Sequence, residues 1–361
     1  MKYPRVLSGA CAVFIVILIS ACSGKPDADT ARKNKVGYTE INFTDTQRSR
    51  PLHVRLWYPA VATAPQQPVT YESIFKGYAA PAAEYFRDAQ ARPLIMLSHG
   101  DRGSSSNQVW LAEALAGEGF IVAAVDHWLN THENNTPEGT LKLWERPADI
   151  SFVVTQLLGD PTWSSRIDAD RIGVAGHSAG GYTALALAGA QYTYELQAKY
   201  CESAQRGPDC ELTKGVNLAS INFSTGLKSY RDTRIKAVFA MAPAVGQGIE
   251  ADSLTRINIP VYIVTAADDE ILKPALNAAR YARYIPNVQF NELSNGGHFA
   301  FLPDCTTTGK IVTTFMQFDI CGNRNSGNRS AIHGTVNAAA IEFFTQSLRV
   351  PALSNQQNGS N

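Results

Sequence analysis

The sequence predicts an α/β fold in which helices flank about eight mostly parallel strands. Apolar runs of strand length alternate along the chain with segments of helical period, and this alternation is typical of parallel sheets. The chain has 361 residues, of which 45% are hydrophobic and 18% charged, so it can bury the core of one large domain and is not a disordered chain. A glycine-rich turn also lies between one strand candidate and one helix candidate. No internal repeat is visible.

The strand candidates are short apolar or alternating runs bounded by turn residues. In chain order they are residues 37–43, 52–58, 94–98, 121–125, 172–175, 237–240, 261–264 and 288–292.

Helices are predicted between these strands. In the first candidate, Val109, Ala112 and Leu115 recur on one helical face at spacings of three residues. In the second, Pro147 lies at the start, where a helix tolerates proline. The candidates are residues 107–116, 147–158, 182–190 and 336–348.

Two polar segments interrupt the alternation. Residues 191–234 precede the strand candidate at 237–240, and residues 303–333 follow the last strand candidate. Loops of this length inside a compact domain are usually functional or separately stapled. We therefore expect two insertions over a face of the sheet, within a single domain that spans residues 37–353.

The N-terminus carries the pattern of a secretory signal. Lys2 and Arg5 precede an apolar run over residues 6–19, which is short for a bilayer span. The sequence ISAC over residues 19–22 resembles the lipobox of bacterial lipoproteins, which implies removal of residues 1–21 and lipidation of Cys22. Ser23, rather than Asp, follows Cys22, and by resemblance to the usual sorting pattern of lipoproteins this favours anchoring in the outer membrane over the inner. An uncleaved membrane anchor and a plain signal peptide are the alternatives, and both would also export the domain.

The segments at the two ends of the predicted domain are featureless. Residues 22–36 are small, polar and charged, and are predicted to form a tether between the lipid and the domain. Residues 354–361 are predicted to be a disordered tail.

Cysteine usage agrees with export. Cys201, Cys210, Cys305 and Cys321 remain in the predicted mature domain, and an even number in an oxidising compartment indicates two disulfides. Three pairings are possible; Cys201 with Cys210 and Cys305 with Cys321 close the shortest loops. A metal site is disfavoured because neither pair has the spacing of zinc ligands or a neighbouring histidine.

The charge balance excludes one class of partner. The chain has 32 basic and 32 acidic residues and no long run of Lys or Arg. A nucleic-acid backbone would find no basic patch to bind, so no nucleic-acid partner is expected. The oligomeric state is not predicted.

The strongest local signal is GHSAGG over residues 176–181, directly after one strand candidate and before a helical run. In this context G-x-S-x-G predicts a sharp turn that exposes the hydroxyl of Ser178 at a helix N-terminus, where developing negative charge is favoured. The alternative is a glycine-rich turn in which Ser178 only caps the helix.

A nucleophilic serine needs a base and an orienting carboxylate, expected in the order Ser, acid, His. His298 follows the last strand candidate in a glycine-flanked turn and is the predicted base; His333 lies in an insertion, and His99 is expected to fix its own loop by hydrogen bonds. Asp269 is the predicted acid, with Asp268 as its rival and Glu270 as a third candidate.

An oxyanion hole requires two N–H groups directed at the tetrahedral oxygen. Ala179, next to the nucleophile, is predicted to supply the first, and Asp101, in the loop after residues 94–98, the second. A carboxylate beside an oxyanion is unfavourable, so the Asp101 side chain must point away or pair with Arg102.

Six segments together resemble the α/β-hydrolase superfamily, and within it the exported dienelactone-hydrolase-like proteins that are also similar to platelet-activating-factor acetylhydrolase. They are LWYP at 56–59, LSHG at 97–100, VDH at 125–127, RPADI at 146–150, GHSAGG at 176–181 and GHFAF at 297–301. The resemblance implies a Ser-His-Asp carboxylic-ester hydrolase that acts on small esters without a metal or organic cofactor. Dienelactone hydrolase itself carries Cys where this chain has Ser178, so the resemblance does not extend to its lactone substrate.

Two other functions compete with this one. A serine peptidase or amidase would use the same triad. Peptidases of this fold often add a propeller or a long cap, and because this chain has no internal repeat, an esterase is favoured. A non-catalytic lipoprotein with a vestigial site is the other alternative, and the complete Ser, acid and His order argues against it.

Overall fold

The computed structural model describes residues 34–86, 90–213, 218–314, 320–322 and 328–349. The predicted signal peptide, Cys22, most of the tether and the tail lie outside the described residues. Within the described ranges, every helix is too short or too polar to cross a membrane.

One sheet of ten strands forms the centre of the domain, in the order β10-β9-β8-β7-β5-β6-β2-β1-β4-β3. The six strands from β10 to β6 run parallel, whereas β2 pairs antiparallel with β6 and β1 antiparallel with β2. The strands are Lys35–Asp45, Arg50–Ala60, Gln67–Tyr71, Phe75–Pro81, Arg92–Ser98, Ile121–Val125, Ile167–His177, Ile235–Met241, Val261–Ala266 and Val288–Leu293.

All eight predicted strands are present, most of them longer than predicted. Two strands were missed: β3 and β4 form an antiparallel hairpin at the edge of the sheet. The first strand begins at Lys35, two residues before the predicted start of the domain at residue 37.

The chain proceeds from β5 to β6 on one side and then returns to place β7 on the other side of β5. Ligand sites of open α/β sheets lie at such a switch point, outside the carboxyl ends of the strands. The loop after β5 and the turn after β7 are therefore neighbours at this edge.

Helices cover both faces of the sheet. Val109 of α1 and Phe344 of α9 belong to one core, whereas Val153 of α3 and Leu185 of α4 belong to the other. The helices α1 to α9 are Val109–Gly117, Pro137–Leu141, Glu145–Gly159, Ala179–Ala188, Tyr194–Glu202, Ala251–Thr255, Ala278–Tyr284, Thr307–Thr313 and Arg329–Ser347.

The last helix corrects one prediction. It begins at Arg329 rather than at residue 336, so the second insertion is shorter than predicted. His333 therefore lies within α9 and not in a loop.

Two disulfides staple the insertions, in the pairing that closes the shortest loops. Cys201 of α5 pairs with Cys210, and their Cα atoms are 5.5 Å apart. Cys305 pairs with Cys321 at a Cα–Cα distance of 5.8 Å, which ties the segment after β10 to residues 320–322.

Candidate active site

Ser178 occupies a strained turn between β7 and α4. Its backbone has φ 59° and ψ −120°, in a region that residues with a side chain rarely adopt. Hydrogen bonds hold this conformation: the Ser178 N–H donates to Met241 O at 2.9 Å, and the Ser178 carbonyl accepts from Ala244 N at 3.0 Å. The end of β8 and the segment that follows it thus fix the turn that the sequence predicted.

The glycines around Ser178 are required by close approach of the backbone. A Cβ at Gly180 would lie 1.8 Å from Ser98 O, and a Cβ at Gly176 would lie 2.3 Å from Gly180 O. Neither position has room for a side chain. The turn can therefore pack directly against the end of β5.

The structure brings the three predicted residues together. The Ser178 hydroxyl lies 3.0 Å from His298 Nε2, and His298 Nδ1 lies 2.8 Å from Asp269 Oδ2. Because a carboxylate only accepts, the Nδ1–H donates to Asp269, and the unprotonated Nε2 accepts from the serine hydroxyl. All three side chains are buried. Such an arrangement can transfer the hydroxyl proton to the imidazole.

The structure distinguishes among the three candidate acids. Asp269 is buried, and its other oxygen accepts from the N–H groups of Ile271 at 3.0 Å and Leu272 at 2.6 Å. Asp268 is exposed. Glu270 accepts instead from the backbone N–H of His298 at 3.0 Å. The geometry therefore favours Asp269 as the group that orients His298.

Two residues that sequence reasoning missed hold the loop after His298. His333 Nε2 lies 3.2 Å from Ala300 O and 3.0 Å from Leu302 O. Trp110 Nε1 donates to Phe301 O at 3.0 Å, and its ring stacks on His333 at 4.1 Å. The sequence placed His333 in an insertion, whereas its position in α9 makes it a support of the loop.

His177, the residue before Ser178, packs beside His298. Its buried ring lies 4.7 Å from the ring of His298 and 5.4 Å from that of Phe301. Burial lowers the pKa of His177 well below its usual value, and the nearby His298 lowers it further. His177 is therefore neutral at physiological pH and adds no charge beside His298.

The loop after β5 lies against Ser178. A Cβ at Gly100 would be 3.3 Å from Ser178 Cβ, so this loop passes close to the serine. His99 makes the loop hydrogen bonds expected of it: its Nδ1 donates to Gly100 O at 2.6 Å, and its Nε2 accepts from His127 N at 3.1 Å. Burial lowers the pKa of His99 well below its usual value, so its ring is neutral.

The Asp101 side chain both points away and pairs, as the sequence required. Its Oδ1 accepts from Asn130 Nδ2 at 2.6 Å and from Thr140 Oγ1 at 2.9 Å. Its Oδ2 lies 3.4 Å from Arg102 Nε. Ala179 is the first residue of α4, so its N–H has no carbonyl partner within the helix.

A cavity of about 400 Å³ opens over Ser178 and His298. Much of its wall is apolar and comes from four separate segments, whereas the polar residues come from the loop after β5, from the loop after β6 and from Glu72. The apolar residues are Ile74, Phe75, Ile271, Phe299, Leu302 and Ile320; the polar ones include Glu72, Arg102, Asn107, His132 and Asn135.

The two insertions contribute unequally to this cavity. Ile320, beside Cys321, lines it, whereas none of the described residues between 191 and 234 does. The β3–β4 hairpin, which was not predicted, contributes Ile74 and Phe75. In the described ranges, no group of three or more His, Cys, Asp or Glu side chains could hold a metal ion.

Similarity to known proteins is partial in sequence. No protein-family model matches the chain. The chain is 26% identical over 227 residues to cutinase est2 of Thermobifida alba, a match that covers 62% of this chain and 58% of that protein. It is 33% identical over 114 residues to cutinase est1 of the same organism, covering 31% of this chain and 36% of that protein. The chain thus spans less than two thirds of these relatives.

Similarity in structure is more extensive. A solved ferulic acid esterase from Streptomyces cinnamoneus matches with a TM-score of 0.61 at 21% identity, over 91% of this chain and 95% of that chain. The chain has the α/β-hydrolase fold. In the α/β-hydrolase fold the nucleophile lies on a strand-to-helix turn, and acid and base follow later in the chain. Ser178, Asp269 and His298 occur in this order and at such positions.

Proposed function

We propose that the chain is a serine carboxylic-ester hydrolase that cleaves small, short-chain esters through an acyl-enzyme. The observation that carries this proposal is the pair of contacts from Ser178 Oγ to His298 Nε2, at 3.0 Å, and from His298 Nδ1 to Asp269 Oδ2, at 2.8 Å. The partial similarity to cutinases and the structural likeness to a ferulic acid esterase support ester hydrolysis.

In the first half-reaction, Ser178 Oγ attacks the ester carbonyl carbon while His298 Nε2 accepts the hydroxyl proton. The carbonyl π-electrons move to oxygen, and Asp269 stabilises the imidazolium that forms. The tetrahedral intermediate then collapses: the C–O bond to the alcohol breaks, and His298 returns its proton to the leaving oxygen. The acyl group remains on Ser178.

In the second half-reaction, water replaces the alcohol. His298 takes a proton from the water while the water oxygen attacks the acyl carbon. The bond from Ser178 Oγ to the acyl carbon then breaks, His298 returns the proton to Ser178 Oγ, and the carboxylic acid product leaves. In both halves the backbone N–H groups of Asp101 and Ala179 stabilise the oxyanion. The orientation of the Asp101 carboxylate, which is turned toward Asn130 and Thr140, is compatible with this role.

The cavity supports a substrate of limited size. Its volume of about 400 Å³ and the apolar wall that includes Phe75, Ile271 and Leu302 suit a short acyl or small aromatic group. The near-neutral composition of the chain favours uncharged esters. From the six sequence segments named above, we also propose that the enzyme is one of the exported hydrolases similar to dienelactone hydrolase and platelet-activating-factor acetylhydrolase.

The decisive experiment combines covalent labelling with a substrate panel. A fluorophosphonate should label the purified domain at Ser178, and p-nitrophenyl esters should be cleaved with rates that fall as the acyl chain lengthens. Absence of labelling would favour a non-catalytic lipoprotein. Labelling with cleavage of peptide or anilide substrates and not of esters would favour a peptidase or amidase.

Export and anchoring are a separate part of the proposal. We propose that residues 1–21 are removed and that a lipid on Cys22 attaches the enzyme to the outer membrane, facing the periplasm or the cell surface. Metabolic labelling with a fatty acid should mark the protein, and Cys22→Ala should abolish the label. An unlabelled protein that is free in the periplasm would contradict the anchor.

A further inference from the structure

One arginine is fully buried beneath the candidate site. Arg146, the second residue of α3, is 1% exposed. Its guanidinium donates to three different segments: to His99 O, to Asn130 Oδ1, and from Nε to Thr183 Oγ1 at 3.2 Å. A buried cation is costly unless its N–H groups are satisfied, so these three contacts must stay in place for Arg146 to remain charged.

Arg146 is not held there by an ion pair with its neighbour on α3. The carboxylate of Asp149 instead binds Arg50 through two hydrogen bonds of 2.7 Å each, and it lies 3.0 Å from His127 Nδ1. No carboxylate of the described chain lies within ion-pair distance of Arg146. The acceptors of Arg146 are therefore neutral oxygens.

Arg146 is connected to Asp101 by two hydrogen bonds through Asn130. Asn130, which accepts from Arg146, donates through Nδ2 to Asp101 Oδ1 at 2.6 Å. The hydroxyl of Thr140 donates to the same carboxylate oxygen at 2.9 Å. Arg146 also binds the carbonyl of His99, two residues before Asp101. The loop after β5 is thus fixed at its start and at the residue whose N–H faces the oxyanion in the proposed mechanism.

Arg146 is also connected to the helix that follows the nucleophile. Thr183 Oγ1 accepts from Arg146 Nε and donates to Ala179 O at 2.9 Å. Arg146 therefore connects the segments that carry both proposed oxyanion donors, Asp101 and Ala179. Because oxyanion stabilisation depends on the donors being held in place before the reaction, a rigid link between them affects the transition state.

We propose that Arg146, acting mainly through Asn130, is a positioning residue that sets the distance and orientation of the two oxyanion N–H groups. This inference rests on the proposed function. It assigns to a residue of α3, outside the cavity wall, an effect on the transition state without contact to the substrate.

The same hydrogen bonds also place positive charge near the carboxylate of Asp101, which would otherwise oppose the negative charge of an oxyanion. The Asp101 carboxylate lies between Arg102, at 3.4 Å, and Asn130, which is itself bound to Arg146. Burial lowers the pKa of Arg146 to about 10, with nearby Asp101 opposing the shift, so Arg146 is charged at neutral pH. Two cations thus offset the negative charge that would oppose an oxyanion.

The test uses two variants outside the cavity wall, Asn130→Ala and Thr140→Val. Both leave every N–H of the loop present but release the Asp101 side chain. Because deletion of an oxyanion donor lowers turnover about 10²–10³-fold, we expect displacement of one to cost less, about 10-fold for Asn130→Ala and about 3-fold for Thr140→Val. These losses should appear in kcat for a p-nitrophenyl ester, with KM within about two-fold of the parent.

A matched control separates positioning from loss of stability. Val153→Ala truncates a fully buried apolar side chain of the same helix, about two turns beyond Arg146, that can make no side-chain hydrogen bond to either loop. It should lower Tm at least as much as Asn130→Ala and leave kcat unchanged. If Val153→Ala lowers kcat as much as Asn130→Ala at equal loss of Tm, or if Asn130→Ala keeps kcat within two-fold of the parent, the positioning role is overturned.

A double-variant cycle tests the link between Arg146 and Asn130. Arg146→Lys keeps the charge, but a single ammonium cannot bind three divergent acceptors. In the Arg146→Lys background, Asn130→Ala should cause little further loss of kcat; fully additive losses would contradict the link.

The variants must still contain a reactive nucleophile. End-point labelling by a fluorophosphonate should reach one group per chain in the parent and in all variants, because Ser178 and His298 are untouched. A parent that is not labelled overturns the proposed function and this inference with it, whereas a labelled parent with unchanged variants overturns the inference alone.

Discussion

Two loops meet over Ser178, and both are held by side chains from distant helices. The loop that carries His298 is bound at three successive backbone positions by neutral groups: His333 lies within hydrogen-bond distance of Ala300 O and Leu302 O, and Trp110 donates to Phe301 O. The loop after β5 is bound by the guanidinium of Arg146, which is charged at neutral pH. We call these the base loop and the oxyanion loop.

The two loops should differ in their response to acid and to loss of a disulfide. His333 can take up a proton, and the base loop is followed by the stapled segment that ends at Cys321. Arg146 stays charged and buried, and the oxyanion loop leads from the central strand β5 into α1. The base loop should therefore be the part of the site that acid or loss of a disulfide disturbs first.

The largest expected effect comes from removing the group that both loops serve. Ser178→Ala should lower kcat for a p-nitrophenyl ester by about 10⁶-fold, because the nucleophile and the acyl-enzyme are lost. Circular dichroism and Tm should show a folded protein, since the strained φ of residue 178 is held by β8. Retention of more than a small fraction of the activity would refute Ser178 as the nucleophile.

The next effect separates the base side from the oxyanion side. Asp269→Asn should lower kcat by about 10⁴-fold, because an amide at this position no longer fixes the histidine tautomer. Asp268→Asn is the matched control: Asp268 is exposed and its loss should leave kcat unchanged. A larger loss in Asp268→Asn than in Asp269→Asn would reverse the assignment of the acid.

The base side was predictable because its signals are local. In GHSAGG, a Cβ at Gly176 or Gly180 would collide with the backbone of Gly180 or Ser98. Because only glycine fits at these two positions, the turn could be recognised from the sequence alone. His298 and the acidic cluster each follow a strand directly. The parallel strand order then brings these turns to one edge of the sheet.

The β3–β4 hairpin was missed because the usual signals are weak there. Most residues of β3 are exposed or half-buried, and the strand contains Pro68, which cannot donate to a sheet ladder. The turn uses Glu72 and Ser73 at φ 52° and 59°, without the Gly or Asn that usually marks such a conformation. Tertiary contacts rather than local preference determine this edge.

The support of the oxyanion loop was not predicted for a different reason. His99, Asn130, Arg146 and Thr183 lie on four separate segments, and each hydrogen bond joins residues at least 16 positions apart. No spacing rule relates such residues before the fold is known. A buried arginine in an amphipathic helix has the same sequence pattern as a solvated one.

The third effect concerns the disulfides. Replacing Cys305 and Cys321 by Ser should lower kcat/KM for the ester about 10-fold, because the released segment includes Ile320 in the cavity wall. Replacing Cys201 and Cys210 is the matched control, since no described residue of that insertion lines the cavity. Each loss should reduce stability by about 2–4 kcal/mol. Equal kcat/KM values in the two variants would contradict the asymmetry.

The smallest expected effect distinguishes the neutral from the charged support. Burial lowers the pKa of His333 to about 4, partly opposed by Asp304. The unfolded chain, with an ordinary histidine pKa of about 6.5, takes up this proton first as the pH falls. The stability that neutral His333 contributes is therefore complete above about pH 6.5 and is lost progressively toward pH 4.

His333→Gln tests this dependence directly, since glutamine can donate to a carbonyl but does not titrate in this range. The remaining buried histidines, including His99 and His177, destabilise the parent and the variant alike in acid. Between pH 7.5 and 4.5, Tm should therefore fall about 5 °C more in the parent than in His333→Gln. If Tm falls equally with pH in the parent and in His333→Gln, protonation of His333 does not destabilise the fold. The predicted difference in acid sensitivity between the base loop and the oxyanion loop would then be wrong.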